Sequence, residues 1–167
     1  SGADNRIYSR YVLSDSFEGT LTSKSGYNME DDVIDTYLPD SEVEYIVENG
    51  DEKTTTFFDS EKLKTNDKYG VFFGGNTGKV VIKTTNPSRN KLLVIKDSYA
   101  NSFVPMLYPE YGEIVMIDPR YYSDDIYSII ASENITKVLF LYNANGFFAD
   151  PSLTGVLARS DAAQTAQ

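Results

Sequence analysis

From Lys91 onward, three short apolar runs begin roughly 22 residues apart: Lys91-Leu92-Leu93-Val94-Ile95-Lys96, Glu113-Ile114-Val115-Met116-Ile117 and Lys137-Val138-Leu139-Phe140-Leu141-Tyr142. A continuous apolar run of this length between polar residues reads as a strand buried on both faces. Each interval is long enough for a helical crossover, which parallel neighbours require. The spacing therefore predicts three parallel strands wound in the usual right-handed sense. The first connection reads as a helix from Tyr99 to Leu107. The second reads as a helix capped by Ser123 and running through about Ser132, with Asp124 and Asp125 favourable in its first turn.

Residues from about 5 to 86 have a different texture. Glu42-Val43-Glu44-Tyr45-Ile46-Val47-Glu48 alternates polar and apolar, as a half-buried strand does. Asn49-Gly50 then signals a hairpin, and Lys53 to Phe58 is rich in β-branched and aromatic residues suited to a returning strand. Tyr69 to Phe73 is an apolar run that breaks at Gly74-Gly75-Asn76, and Lys79 to Lys83 reads as another strand. The expectation is one α/β domain over 1–159, with an irregular β-rich amino-terminal part. The small polar stretch from Ser160 to Gln167 reads as a flexible tail.

Hydrophobic residues make up 41% of the 167, so a packed core is expected. The net charge of −10 argues against binding a nucleic-acid backbone and against docking on anionic lipid through a basic patch. With no Cys, disulfides and thiolate chemistry are excluded. No run approaches the ~20 apolar residues of a membrane span. The start, Ser1 to Asn5, does not read as a signal peptide, and the chain reads as a mature or trimmed piece. No cofactor motif is present.

Parallel strands bring their carboxyl ends to one edge, where open α/β sheets carry their ligands. Three loops should meet there: Asp97-Ser98, Asp118-Pro119-Arg120-Tyr121-Tyr122 and Asn143-Ala144-Asn145. The Gly74-Gly75-Asn76 loop joins them if Phe72 and Phe73 run in the same direction. Ser98, at a strand-to-helix turn, has two readings. It is a nucleophile presented at a sharp turn, or Asp97-Ser98 is an ordinary helix cap. A serine hydroxyl needs a base to attack, and the chain has no His. Gly74-Gly75-Asn76 reads either as a turn requiring positive φ or as an oxyanion-binding loop. Arg120 suits pairing with Asp118 or Asp97, or an anionic ligand group. Asp31-Asp32 and Asp124-Asp125 lack further ligands at loop spacing, so no metal site is expected.

Lys91 to Asn101, followed by Ile117-Asp118-Pro119-Arg120-Tyr121-Tyr122, resembles the carboxyl half of the DHHW family. These are SGNH-hydrolase-like proteins related to bacterial alginate O-acetylation proteins. Phe17 to Gly26, Val71 to Asn76 and Leu139 to Asn143 carry the same resemblance in the same order, which thus spans most of residues 15–150. It implies a three-layer, flavodoxin-like α/β fold with a parallel sheet, and a serine that attacks an acyl group. Ser98 corresponds to that serine, within a motif that reads Gly-Asp-Ser in relatives; Lys96 stands where the Gly would be. The family's Asp and His come from an Asp-x-His-type motif amino-terminal to the Phe17–Gly26 match, and no position here corresponds to them. Asn76 is the first choice for the oxyanion amide, beside Gly75, and Asn143 the second. The resemblance further implies an exported or envelope-bound esterase or O-acetyltransferase acting on a polysaccharide. This chain alone, with an incomplete triad, is expected to be inactive. The alternative is a carbohydrate-binding module of the cell envelope, with Tyr99, Tyr121 and Tyr122 stacking on sugars and Asn101 and Asn145 bonding hydroxyls.

Overall fold

A computed structural model describes residues 7–17 and 32–165. The amino-terminal segment Ser1–Asn5, most of the Phe17–Gly26 match and Asp31 lie outside the described residues.

The three spaced runs form β6 (Lys91–Lys96), β7 (Glu113–Ile117) and β8 (Lys137–Leu141). β6 pairs in parallel with both others and lies between them. The remaining strands join through β5 (Lys79–Thr84), which is antiparallel to β7. The hairpin of β3 (Tyr45–Asn49) and β4 (Glu52–Thr54) completes a six-stranded sheet of order β4-β3-β5-β7-β6-β8. The sheet is therefore mixed, where the sequence led us to expect a parallel one. The cause is the link from Thr84 to Lys91, which is too short for the dozen or more residues of a parallel crossover. β1 (Tyr8–Phe17) and β2 (Asp32–Pro39) form a separate antiparallel ribbon.

Alternation along the parallel strands divides the core between two faces. Leu92 and Val94 pack with Ile114, Met116, Val80 and Ile82 on one face, beneath Ala100 and Val104. Leu93 and Ile95 pack with Val115 and Ile117 on the other, beneath Ile126, Ile129, Leu153 and Val156. The helices covering these faces are α1 (Ala100–Phe103), α2 (Ile126–Ser132) and α4 (Ser152–Thr165); a short α3 (Ala144–Ala149) follows β8. No helix among the described residues is long and apolar enough to cross a membrane.

Several local expectations are corrected. The helix after Ser98 stops at Phe103 and continues as a 3-10 turn, Val104–Met106, because Pro105 has no N–H for a helical bond and its ring crowds the preceding turn. Asp125, not Ser123, caps α2, its Oδ1 accepting from Tyr127 N at 2.8 Å. The returning hairpin strand ends at Thr54, since Phe57 leaves the sheet to stack on Tyr45 with ring centroids 4.0 Å apart. Tyr69 to Phe73 is not a strand. Lys68–Val71 is a 3-10 turn, which sends Val71, Phe72 and Phe73 all into the core rather than to alternate faces. Helix α4 takes in Ser160, a residue assigned above to the tail. Its buried Oγ accepts from Ile126 N at 2.9 Å and donates to Val156 O at 3.0 Å.

Candidate functional site

The carboxyl ends of β6, β7 and β8 do bring their loops together, and one carboxylate ties two of them. Asp97 is buried, and all its partners are backbone or amide donors. Its Oδ1 accepts from Tyr99 N at 2.9 Å. Its Oδ2 accepts from the backbone N and the side-chain Nδ2 of Asn143, both at 2.9 Å. Asn143 in turn caps α3 by accepting from Gly146 N at 2.7 Å. A Cβ at Gly146 would lie 3.1 Å from Asp97 Oδ2, tighter than an ordinary contact. Both ends of the Asn143 amide are thus engaged, and this residue fastens the β6 and β8 loops, with one of its two Nδ2 hydrogens given to Asp97.

In those bonds Asp97 is the cap-like acceptor of the turn, as one of the two readings of Asp97-Ser98 expects. The turn amide is held by Asp97, and Ser98 Oγ bonds to no described residue. Ser98 is half-buried. Its carbonyl accepts from Tyr69 Oη at 3.0 Å, and the same hydroxyl contacts Ser102 Oγ at 3.2 Å. The turn is thus fixed through its backbone while the hydroxyl is left unengaged. Ser98 is not the cap.

The glycine loop reaches the same turn. Asn101, one turn beyond Ser98 and 1% exposed, donates from Nδ2 to Asn76 Oδ1 at 3.2 Å. This leaves the Nδ2 of the exposed Asn76 with no partner among the described residues. Asn101 is too buried to meet a sugar; it holds Asn76. The Gly75 N–H already donates to Phe72 O at 3.1 Å, whereas the backbone N–H groups of Asn76 and Ser98 donate to no described residue. Phe73, Gly74 and Gly75 all have positive φ, at 59°, 74° and 114°. Glycine takes such angles freely; a bulky Phe does so at a cost of order 1–3 kcal/mol. Phe73 is held there by its N–H to Phe57 O at 2.8 Å and by edge-on packing against the Phe57 ring.

Behind the turn lies a buried charge cluster, of which sequence reading offered the Asp118–Arg120 pair but not Lys96. Asp118 is fully buried. It accepts from Arg120 Nε at 2.9 Å and Nη2 at 2.6 Å, and its Oδ2 is 3.5 Å from Nζ of Lys96, which is 2% exposed. The signal was register: Ile95 faces Ile117, so the next pair is Lys96 and Asp118. Burial pushes the Lys96 ammonium below the ordinary lysine value, and Asp118 partly restores it. The bidentate Asp118 raises the already high Arg120. Arg120 is thus the partner of Asp118, with its guanidinium 5.4 Å from the centre of the Tyr121 ring. Beside them the buried Tyr142 hydroxyl has no hydrogen-bond partner among the described residues; burial first, then the charges of Asp118 and Asp97, hold it protonated. Tyr99 and Tyr121 are well exposed at this edge, while Tyr122 is half-buried, its hydroxyl pushed up to about 12 by burial and by Asp124.

No family model and no curated protein matches the chain. Solved structures do. A DHHW family protein from Eubacterium siraeum superposes with a TM-score of 0.73 at 23% identity, covering 90% of this chain and 52% of that one. PatB1 of Bacillus cereus, solved with a sulfonyl adduct, gives 0.63 at 20% identity over 83% of this chain and 48% of the other. A second PatB1 structure gives 0.61 at 21% identity, covering 83% and 50%. At these identities the likeness shows the fold, and this chain spans about half the length of the structures it resembles.

Proposed function

We propose that this chain is the serine-bearing half of an acyl-transfer site, in an exported SGNH-type esterase or O-acetyltransferase acting on a cell-surface polysaccharide. The observation that carries the reading is the Asn101–Asn76 bond, which ties the glycine loop to the helix after Ser98 and leaves the exposed Asn76 amide nitrogen, like the Ser98 hydroxyl, without a partner among the described residues. Likeness to a DHHW protein, and to PatB1 with its sulfonyl adduct, supports it. Ser98 Oγ attacks the acyl carbonyl and passes its proton to a base. The oxyanion takes hydrogen bonds from Ser98 N–H and Asn76 Nδ2. Collapse expels the alcohol, and a sugar hydroxyl or water then takes the acyl group from Ser98. Asp97 is not the base, because its oxygens are occupied by Tyr99 and Asn143. The base comes from outside the 167 residues. Without it the rate falls by about 10⁴–10⁶, so this chain should show no Ser98-dependent hydrolysis of a chromogenic acetyl ester. Turnover that disappears in Ser98→Ala would refute the missing base.

A carbohydrate-binding role is the second reading, favoured by the exposed rings of Tyr99 and Tyr121. It predicts glycan binding that survives Ser98→Ala and is lost on removing those rings.

A further inference from the structure

Next to Asn76 lies a groove that the acyl-transfer chemistry leaves unused. It is open, with a volume of about 550 Å³, within the range of small-ligand sites. It is lined by the start of β5, from Thr77 to Lys79, by the β7 loop at Tyr121, Tyr122 and Asp124, and by the β3–β4 turn. The first two linings are fastened through backbone. Gly78 O accepts from Asp118 N at 3.1 Å, and a Cβ at Gly78 would lie 2.5 Å from Tyr121 O, far inside an ordinary contact. The Tyr121 ring is 60% exposed, with the Arg120 guanidinium 5.4 Å from its centre; Arg120 is itself clamped on Asp118. The same groove carries polar groups with nothing to bond. The Asp124 carboxylate and the Lys79 ammonium have no hydrogen bond or ion pair among the described residues, and neither has the buried Thr77 hydroxyl. Glu48, in the β3–β4 turn, is by contrast engaged by Lys53 and Lys83, each at 2.8 Å.

We propose that this groove binds an uncharged sugar unit of a polysaccharide, packed on Tyr121, with hydroxyls donating to Asp124 and accepting from Lys79. A sugar ring has apolar C–H faces and a rim of hydroxyls that both donate and accept. Its match is an aromatic ring beside an unpaired acceptor and an unpaired donor, and the groove holds all three. A uronate polymer fits worse. Its carboxylates meet Asp124 on a chain of net charge −10, with Lys79 as the one unpaired cation among the described lining residues. A wholly apolar ligand would desolvate Asp124 and Lys79 without pairing them. The groove starts at the residue after Asn76, so a glycan lying in it reaches Asn76 and the Ser98 turn tied to it. The bound sugar is then the acyl acceptor. Its hydroxyl oxygen bonds to the acyl carbon as the Ser98 ester bond breaks, and its proton passes through the base to Ser98 Oγ. That role rests on the acyl-transfer reading; binding in the groove does not.

The test titrates this chain with neutral oligosaccharides of glucose, xylose and N-acetylglucosamine, and with oligogalacturonate of the same length, following backbone amide shifts by nuclear magnetic resonance. At least one neutral oligosaccharide should give saturable shifts at Thr77, Gly78, Tyr121 and Asp124, with roughly millimolar affinity or tighter. Oligogalacturonate should bind about tenfold more weakly. Tyr121→Ala and Asp124→Ala should each weaken neutral binding about tenfold, with the β6 and β7 amide shifts unchanged as the check on folding. Three results overturn the proposal: no shifts with any neutral sugar, equal or tighter binding of oligogalacturonate, or binding that survives both substitutions. Binding lost in Tyr99→Ala but kept in Tyr121→Ala overturns it too. Ser98 is read separately, with phenylmethanesulfonyl fluoride, on this chain fused through a flexible linker to the part of the Eubacterium siraeum protein outside the matched region. The linker sets a local concentration of about millimolar, so modest affinity between the parts suffices. Groove shifts with Ser98 unmodified in the fusion leave the groove standing and the acyl-transfer reading refuted; Ser98 modified without groove shifts gives the reverse.

Discussion

Asp118→Asn probes the frame on which the site is built. The fully buried carboxylate neutralises Lys96, which is 2% exposed, and Arg120, which is 32% exposed. Arg120 can turn to water once released, but Lys96 cannot. Leaving one partner of a buried pair uncompensated costs about 3–5 kcal/mol, against a total of about 5–15 kcal/mol for a domain. With an m-value near 2 kcal/mol/M, the urea midpoint should fall by roughly 1.5–2.5 M. Far-ultraviolet circular dichroism follows the transition, since the chain has no Trp. The pH dependence is the sharper check. Burial places Lys96 below its ordinary value, and without Asp118 it falls further. A lysine with a lowered folded-state value penalises folding fully below that value, and the penalty is relieved as pH rises towards the unfolded value of about 10.4. The variant should therefore regain stability between pH 7 and 10. Lys96→Met combined with Asp118→Asn should recover most of the loss at pH 7. A loss below about 1 kcal/mol, or one that pH leaves unchanged, would show that Lys96 does not depend on Asp118 and would refute the reasoning.

Other substitutions separate the roles of the turn residues. Ser98→Ala should change stability by less than about 0.5 kcal/mol in the same urea titration, because its hydroxyl bonds to nothing among the described residues. Asp97→Ala, by contrast, removes the acceptor for three donors and should cost about 1–3 kcal/mol for each buried donor left unsatisfied, with amide exchange rising at Asn143. Gly75→Ala, at φ 114°, should lose about 1 kcal/mol or more although a Cβ there meets no atom. Glu48 is held down to about 2 by Lys53 and Lys83. Its stabilisation is present above about pH 4.3 and fades as pH falls towards 2. Glu48→Gln should therefore narrow the stability difference between pH 6 and pH 3, measured by urea midpoints.

What the sequence made legible followed from period and spacing. The three apolar runs became β6, β7 and β8, parallel as their separations required, and the loops at their carboxyl ends meet. Elements decided by tertiary contacts were not legible. Phe57 and Phe72 look like strand residues, yet the aromatic packing around Tyr45 and Tyr69 keeps them out of the six-stranded sheet, and only a lone Phe58–Phe72 bridge forms beside it. Lys96 reads as the polar end of a run; only the register against β7 shows that it faces Asp118. The bond by which Asn143 ties its loop to Asp97 lies across 46 residues of chain and was not legible either. The split between Ser98 and Asp97, one hydroxyl unengaged and one carboxylate holding the turn, depends on rotamers that sequence does not contain.

The central claim is that Ser98 is an acyl-transfer nucleophile whose base comes from outside these residues. Intact-mass measurement after phenylmethanesulfonyl fluoride tests it most directly, on this chain alone and on its fusion to the unmatched part of the Eubacterium siraeum protein. The account predicts no adduct on the chain alone and one sulfonyl group on Ser98 in the fusion, absent in Ser98→Ala. An adduct on Ser98 in the unfused chain, or none in either form, would contradict it.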